Sequence, residues 1–291
     1  MANESPFARG NDRNQKRPTA ISGGSRPSFL DEPDATRDDL SAPGRLQRTG
    51  LMWDSGAIDW DKLQTSSVER SVARFRTVLP SHVWDAAALE GNTFTLPEVQ
   101  TLLEGVTVGG HRMEEANQVL ALAESSEELA RLVRDDVFAM DRKTINSIHR
   151  LVARFEALDA GLFRGEGSSA GGGIVSLGGQ GKYQATGSQN GGSNFRREFD
   201  EAIEYLRHEP LHPAERAVAY FGIGALRQFF FDGNKRTSRL MMNGWLMSQG
   251  IDAISIPAAR RLEFNQHLGT MYVSKNATPL MRFIVDCRPQ P

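Results

Sequence analysis

The sequence predicts an all-α protein carrying one small β-hairpin. Apolar residues recur at helical spacing in stretch after stretch from residue 68 to residue 287. Strand-like segments are confined to one place, Ile174–Leu177 and Lys182–Gln184, on either side of Gly178-Gly179-Gln180-Gly181. Glycine pairs and proline-led turns punctuate the remainder.

The elements follow in chain order. Residues 1–48 are expected to be a disordered tail, with 14 Gly, Pro or Ser against seven large apolar residues and charges of both signs without helical phase. Val68–Val78 sets Val72, Phe75 and Leu79 on one helical face. Ser81–Gly91 is alanine-rich, and Gly91-Asn92 supplies its stop. Thr95-Leu96-Pro97-Glu98 has capping-box spacing and starts a helix through Leu103. After the break at Gly109-Gly110, Glu114–Val133 and Arg142–Leu158 read as helices. Gly165–Asn194 holds 11 of the 28 glycines and is expected to be a flexible loop around the hairpin. Helical spacing resumes at Phe195–Leu206, Pro213–Arg227, Arg236–Gln249, Ala258–Val273 and Pro279–Cys287.

Composition narrows the function. The 291 residues suffice for one large domain or two small ones. Lysine and arginine total 34 against 36 acidic residues, a formal net charge of −2. Such a chain lacks the clustered basic surface that DNA or a membrane demands, so neither partner is expected. The single cysteine, Cys287, excludes an internal disulfide and argues against a cysteine metal site. No apolar run approaches the roughly 20 residues of a bilayer span. Met1–Gly10 has no apolar signal core. A cytoplasmic protein is the expectation; a homo-oligomer stays open.

The chemistry concentrates in residues 228–239, Gln228-Phe229-Phe230-Phe231-Asp232-Gly233-Asn234-Lys235-Arg236-Thr237-Ser238-Arg239, between two helical stretches. Asp-Gly-Asn-Lys is a tight-turn composition, and such a turn directs backbone N–H groups into an anion nest. The next helix, expected to start near Arg236, points its positive end at the same place. Lys235, Arg236 and Arg239 add fixed charge, and Asp232 can hold a hard cation at the mouth. These parts describe a polyphosphate–Mg²⁺ site.

Here the chain resembles the Fic (Fido) family, whose signature is His-x-Phe-x-Asp/Glu-Gly-Asn-Gly/Lys-Arg-x-x-Arg between two helices. It matches at Phe230, Asp232, Gly233, Asn234, Lys235, Arg236 and Arg239, and departs at Gln228, which stands where the family has histidine. Glu90-Gly91-Asn92 through Val99, with Leu103–Gly110, resembles the upstream region of members with an inhibitory helix. Ile148–Leu151 and Gly161–Arg164 resemble the approach to the family's flap.

The resemblance implies a Fic helical fold with a hairpin flap, spread over about residues 60–287. It divides the chain into the tail (1–48), a helical region with the inhibitory helix (49–139) and a core (140–291) with flap (165–194) and motif loop (228–239). It implies transfer of AMP from ATP to a protein hydroxyl. Asp232 would hold Mg²⁺ against the α- and β-phosphates. The amides of Gly233 and Asn234, with the Asn234 side chain, would cradle the phosphates. Lys235 would bind nucleotide, Arg236 would contact the β-phosphate side and Arg239 the γ-phosphate. Glu90 matches the inhibitory glutamate that pairs with the second motif arginine, here Arg239. The family has Ser or Thr four residues before it, where this chain has Ala86. A target protein would dock at the flap. Gln228 cannot serve as a base, although it can orient a hydroxyl. The resemblance therefore leaves open a weak, self-inhibited adenylyltransferase, an inactive nucleotide-binding regulator, and an AMP-removing enzyme that uses Glu90. The family's Doc-like branch, which also carries lysine at position 235, phosphorylates instead. His149, on an apolar helical face, reads as a packed core histidine rather than a stand-in base.

Overall fold

The computed structural model describes residues 44–169, 171–177 and 181–289. The tail expected over 1–48 lies outside them up to residue 43, and so does the hairpin tip, 178–180. Among the described residues there are eleven α-helices and one two-stranded sheet. In chain order they are α1 (Arg45–Thr49), α2 (Val68–Thr77), α3 (Leu79–Leu89), α4 (Leu96–Leu103), α5 (Met113–Arg134), α6 (Arg142–Val152), β1 (Ile174–Ser176), β2 (Lys182–Gln184), α7 (Ser193–His208), α8 (Pro213–Arg227), α9 (Asn234–Ser248), α10 (Arg261–Ser274) and α11 (Thr278–Asp286). No helix among them is long and apolar enough to cross a membrane.

The core is built on the α8–α9 pair. α8 is buried at almost every position from Ala214 to Leu226, and α9 from Asn234 to Met247 except at Lys235. α8 is largely apolar on every face and belongs in an interior, whereas α9 buries a polar first half, Asn234–Arg239, beside an apolar second half; α5, α7 and α11 cover the pair. α5 lies against α9 at Gly244, where an added Cβ would come within 2.4 Å of Phe138 and 2.7 Å of Leu129. Only the absence of a side chain permits that approach. Buried Glu215 on α8 accepts from the Trp53 indole and the Ser55 hydroxyl, both at 2.7 Å, pinning the segment before α2 onto the core.

The hairpin is antiparallel, with Val175 opposite Tyr183. Thr95 and Glu98 form the expected capping box at α4. Two expectations need correction. The tail does not extend to residue 48, because Arg45–Thr49 is helical and Arg45 is buried. The Arg45 guanidinium covers the Trp53 ring at 4.2 Å and donates to the Tyr205 hydroxyl at 3.0 Å. Such long-range partners leave no trace in local composition. The helix expected over Arg142–Leu158 stops at Val152, and Phe155 and Leu158, which prolonged its apolar period, are exposed. The chain turns at Ala153, whose carbonyl accepts from Glu156 and Ala157. That turn carries Glu156 to the motif loop.

Candidate active site

The motif loop joins α8 to α9, and the end of α8 explains its shape. The last carbonyls of a helix need outside donors. Here side chains supply them. Ala225 O accepts from Tyr272 (3.1 Å) and from the Gln228 amide (2.6 Å), and Leu226 O accepts from Tyr183 (3.1 Å). Arg164 reaches Arg227 O at 3.3 Å and Gln228 O at 2.6 Å, and also donates to Thr186 O in the flap segment. Burial pushes the Arg164 guanidinium down to about 10, since it faces carbonyls rather than a paired carboxylate. Gln228 terminates the helix in the left-handed region, φ 51°.

Gln228 is buried, and its side chain is engaged at both ends. Its Nε2 donates to Ala225 O, and its Oε1 accepts from Asn234 Nδ2 at 3.1 Å. Asn234 also donates to Phe230 O and accepts from Phe230 N, each at 2.8 Å. The Asn234 side chain was expected at the phosphates. Instead it is turned inward, because it alone pairs both backbone groups of buried Phe230. Phe229 and Phe230 pack in the core, and Phe231 is half exposed.

His149 holds the other side of the loop. Gly161 N–H donates to Nδ1 at 2.8 Å, so Nε2 carries the hydrogen and donates to Asp232 O at 2.9 Å. The ring stacks on Phe230 at 3.7 Å, and burial pushes its pKa down to about 4. His149 is thus the packed histidine that its helical position suggested. Gly233 is left-handed, φ 73°, with His149 and Ala153 close by, and caps α9, which begins at Asn234 rather than Arg236. The first N–H groups of α9 have no acceptor within the helix.

The charged groups converge on this helix start. The Asp232 carboxylate accepts from Gly233 N–H at 2.6 Å and lies 3.5 Å from Arg236, with its side chain 59% exposed. Arg236 is buried and forms a two-pronged pair with Glu156, Nη1 to Oε1 at 2.8 Å and Nη2 to Oε2. Burial would raise the Glu156 pKa, but the Arg236 hydrogen bonds and charge outweigh it and hold the group ionised. Sequence reasoning missed Glu156, which lay inside a predicted helix.

Glu90 arrives from α3. The helix ends in a Schellman turn, with Asn92 N–H on Ala87 O at 3.1 Å, Gly91 N–H on Ala88 O at 3.0 Å and Gly91 at φ 95°. This turn aims the Glu90 side chain at α9. Its Oε2 meets Lys235 Nζ at 2.9 Å and its Oε1 meets Arg239 Nη2 at 3.4 Å. Burial favours the neutral acid, yet the charges of Lys235, Arg239 and Arg236 prevail and pull its pKa to about 2. Arg239 Nη2 also reaches Ala86 O at 3.2 Å, while Nε and Nη1 are buried with no hydrogen-bond partner among the described residues. A cleft of about 270 Å³ opens here, lined by Glu90, the β1 residues and 228 and 232–236 of the motif loop. Seven of the eight sequence-predicted site residues line this cleft, and Arg239 lies outside its lining, against Glu90.

Residues 139–246 match the family model described as the Fic/DOC family. The chain is similar to the protein adenylyltransferase Fic of Drosophila melanogaster, 29% identical over 210 residues, which are 71% of this chain and 40% of that protein. The Drosophila mojavensis protein of the same name is 26% identical over 208 residues, 71% of this chain and 39% of its own. The chain thus spans about two-fifths of these curated relatives' length. Among solved structures, Fic-1 (residues 134–508) from C. elegans superposes with a TM-score of 0.61 at 22% identity, over 78% of this chain and 64% of that one. A Fic domain containing signaling protein from Bacteroides thetaiotaomicron gives 0.62 at 19% identity, over 78% and 89%. At these identities the structural likeness speaks for the fold alone. The match over residues 139–246 takes in the motif helix pair and its approach, and the chain has a helical Fic fold.

Proposed function

We propose that this protein transfers AMP from ATP to a hydroxyl of a target protein and that its resting state is self-inhibited by Glu90. The observation that carries the reading is the seat of the Glu90 carboxylate. It lies against Lys235 and Arg239 at the start of α9, where a helix terminus and three cations favour an anion. Three carboxylates (Glu90, Glu156, Asp232) face three cations (Lys235, Arg236, Arg239) there. These charges already balance, so an entering triphosphate brings excess negative charge, and the departure of one carboxylate lowers that excess. Glu90 is the one on a turn separate from the motif loop and its approach. The unpartnered Nε and Nη1 of Arg239 are donors suited to phosphate oxygens.

In this reading the target hydroxyl oxygen bonds to the α-phosphorus, the bond to the bridging oxygen breaks, pyrophosphate leaves, and the hydroxyl proton passes to solvent water, since Gln228 is no base. The Asn234 backbone amide, Lys235, Arg236 and Arg239 hold the phosphates, and the Gly233 amide joins them once the Asp232 carboxylate that it now meets turns away. Asp232, a largely exposed carboxylate at the cleft mouth, suits Mg²⁺ shared with phosphate oxygens. Bound there, Mg²⁺ would neutralise phosphate charge. The target segment pairs with the outer edge of β1, whose Ile174 is exposed beside the cleft.

A second reading, a nucleotide-binding regulator without turnover, is favoured by one observation. The Gln228 amide is committed to Ala225 O and Asn234, so nothing in that position takes the hydroxyl proton. Removal of AMP from a modified target, with Glu90 orienting water, is a third. ATP labelled at the α-phosphate decides between the first two, applied to wild type, Glu90→Gly and Glu90→Gly/Gln228→His with candidate targets. Covalent label with Glu90→Gly alone supports the enzyme. Label only after histidine is restored supports the silent regulator. No label in any variant sinks AMP transfer.

A further inference from the structure

The grip on Glu90 is uneven. Arg239 touches it once, at 3.4 Å, near the limit of a useful hydrogen bond, and divides the same nitrogen with Ala86 O at 3.2 Å. Lys235 meets the other oxygen at 2.9 Å, the distance of a full charge-assisted bond. Neither partner is freely solvated, with Lys235 26% and Glu90 16% exposed at the side chain. We propose that Lys235, more than Arg239, is the positioning residue that holds Glu90 over the phosphate site, so that this lysine closes the empty site and serves the nucleotide only after Glu90 has left. The proposal rests on the reading of Glu90 as an inhibitory anion.

The chemistry of the two cations supports the assignment. A lysine ammonium is a point charge on a flexible stem with rotatable donors, able to exchange a carboxylate for a phosphate without moving its helix. Arg239 is buried on α9 and has two nitrogens that Glu90 does not reach. Its fork is poorly matched to Glu90 and left over for a larger anion. With one oxygen on each cation, the carboxylate is fixed at two points, and removing the stronger one frees it.

This makes an unusual prediction about sign. A lysine at a triphosphate site ordinarily aids binding, so its loss should weaken ATP affinity. If Lys235 is the holder, Lys235→Met in the Glu90-containing protein tightens ATP binding about three- to tenfold, the net worth of one ordinary hydrogen bond, because the lost phosphate contact offsets part of the gain. In the Glu90→Gly background the same substitution weakens ATP binding, because only the phosphate contact remains to be lost. Calorimetry on the four full-length proteins reads both effects. A reversal of sign between the backgrounds is the expected result; weakening in both overturns the proposal.

A second measurement needs no nucleotide. The Glu90 carboxyl is titrated by NMR in wild type, Lys235→Met and Arg239→Met. Lys235→Met raises the Glu90 pKa by more than Arg239→Met does. The opposite order overturns the proposal. Absence of ATP binding in every variant, Glu90→Gly included, is the failure of the AMP-transfer reading, and the Glu90 titration then decides the role of Lys235 alone.

Discussion

Asn234 Nδ2 and Gln228 Oε1 are joined by a 3.1 Å hydrogen bond across the motif loop, tying the first residue of α9 to the last cap of α8. The bond belongs to a set in which Asn234 does most. It also pairs the N–H and C=O of buried Phe230, whereas Gln228 contributes one further bond to Ala225 O. Asn234→Ala therefore strands two buried backbone groups and is expected to cost about 2–4 kcal/mol, against about 1 kcal/mol for Gln228→Ala. Urea unfolding of both variants checks the order. Equal losses would show that Gln228 closes the loop as much as Asn234 does.

Glu156 and Arg236 make the second testable pair. Arg236 is buried and its two outer nitrogens both rest on Glu156, which also accepts from Gln118 at 3.0 Å. Gln118 in turn accepts from Asn92, two residues past Glu90. Glu156→Ala leaves a buried guanidinium short of its counter-charge and lowers stability by about 1–3 kcal/mol, less than a fully buried pair would, because Glu156 is partly exposed. If Arg236 binds phosphate, saturating ATP replaces the lost carboxylate. The gap in melting temperature between variant and wild type then narrows. A gap indifferent to ATP removes Arg236 from the phosphate site.

What the sequence made legible and what it hid divide along one physical line. The α4 capping box, the stop at Gly91 and the turn chemistry of Asp232–Asn234 are short-range signals, and the structure places each where its residues indicated. Glu156, Gln118 and Arg164 act on residues 64 to 80 positions away or across separate helices, and no local pattern encodes such pairings. The inward turn of Asn234 was hidden for a related reason. An asparagine in a motif loop suits a ligand or a backbone equally, and only the buried Phe230 amide decides. Arg45 was hidden by its own charge, which made a buried residue read as tail.

Gly244 tests how α9 is set against α5. A methyl group there meets Phe138 and Leu129 at distances no Cβ tolerates. Overpacking of this kind costs about 1–3 kcal/mol, and the better helix propensity of alanine returns about 1 kcal/mol. Gly244→Ala is expected to lose about 1 kcal/mol net, and Phe138→Leu in the same chain to recover part of it. A neutral or stabilising Gly244→Ala, read by denaturant midpoint, would mean that the helices separate at no cost and that their close approach does not position the motif loop.

His149 gives the fold an acid limit that reaches the site. Its neutral ring accepts from Gly161 and donates to Asp232 O, and burial holds its pKa at about 4, with Arg236 lowering it further and Glu156 opposing. His82, partly buried against Phe75, is held at about 4 as well. In the unfolded chain both return to about 6.5. Between pH 6.5 and 4 the unfolded state binds more protons, so stability is complete above pH 6.5 and declines as pH falls toward 4. Each histidine accounts for up to about 3 kcal/mol of that decline. Glu90 adds a separate loss only below about pH 4.5, as it is protonated toward its folded value of about 2. His149→Gln removes one of the two titrations while retaining a donor for Asp232 O. The drop in urea midpoint from pH 7 to pH 4.5 should shrink by about half. An undiminished drop would mean that His149 takes up its proton without leaving Gly161, and that Asp232 is not anchored through it.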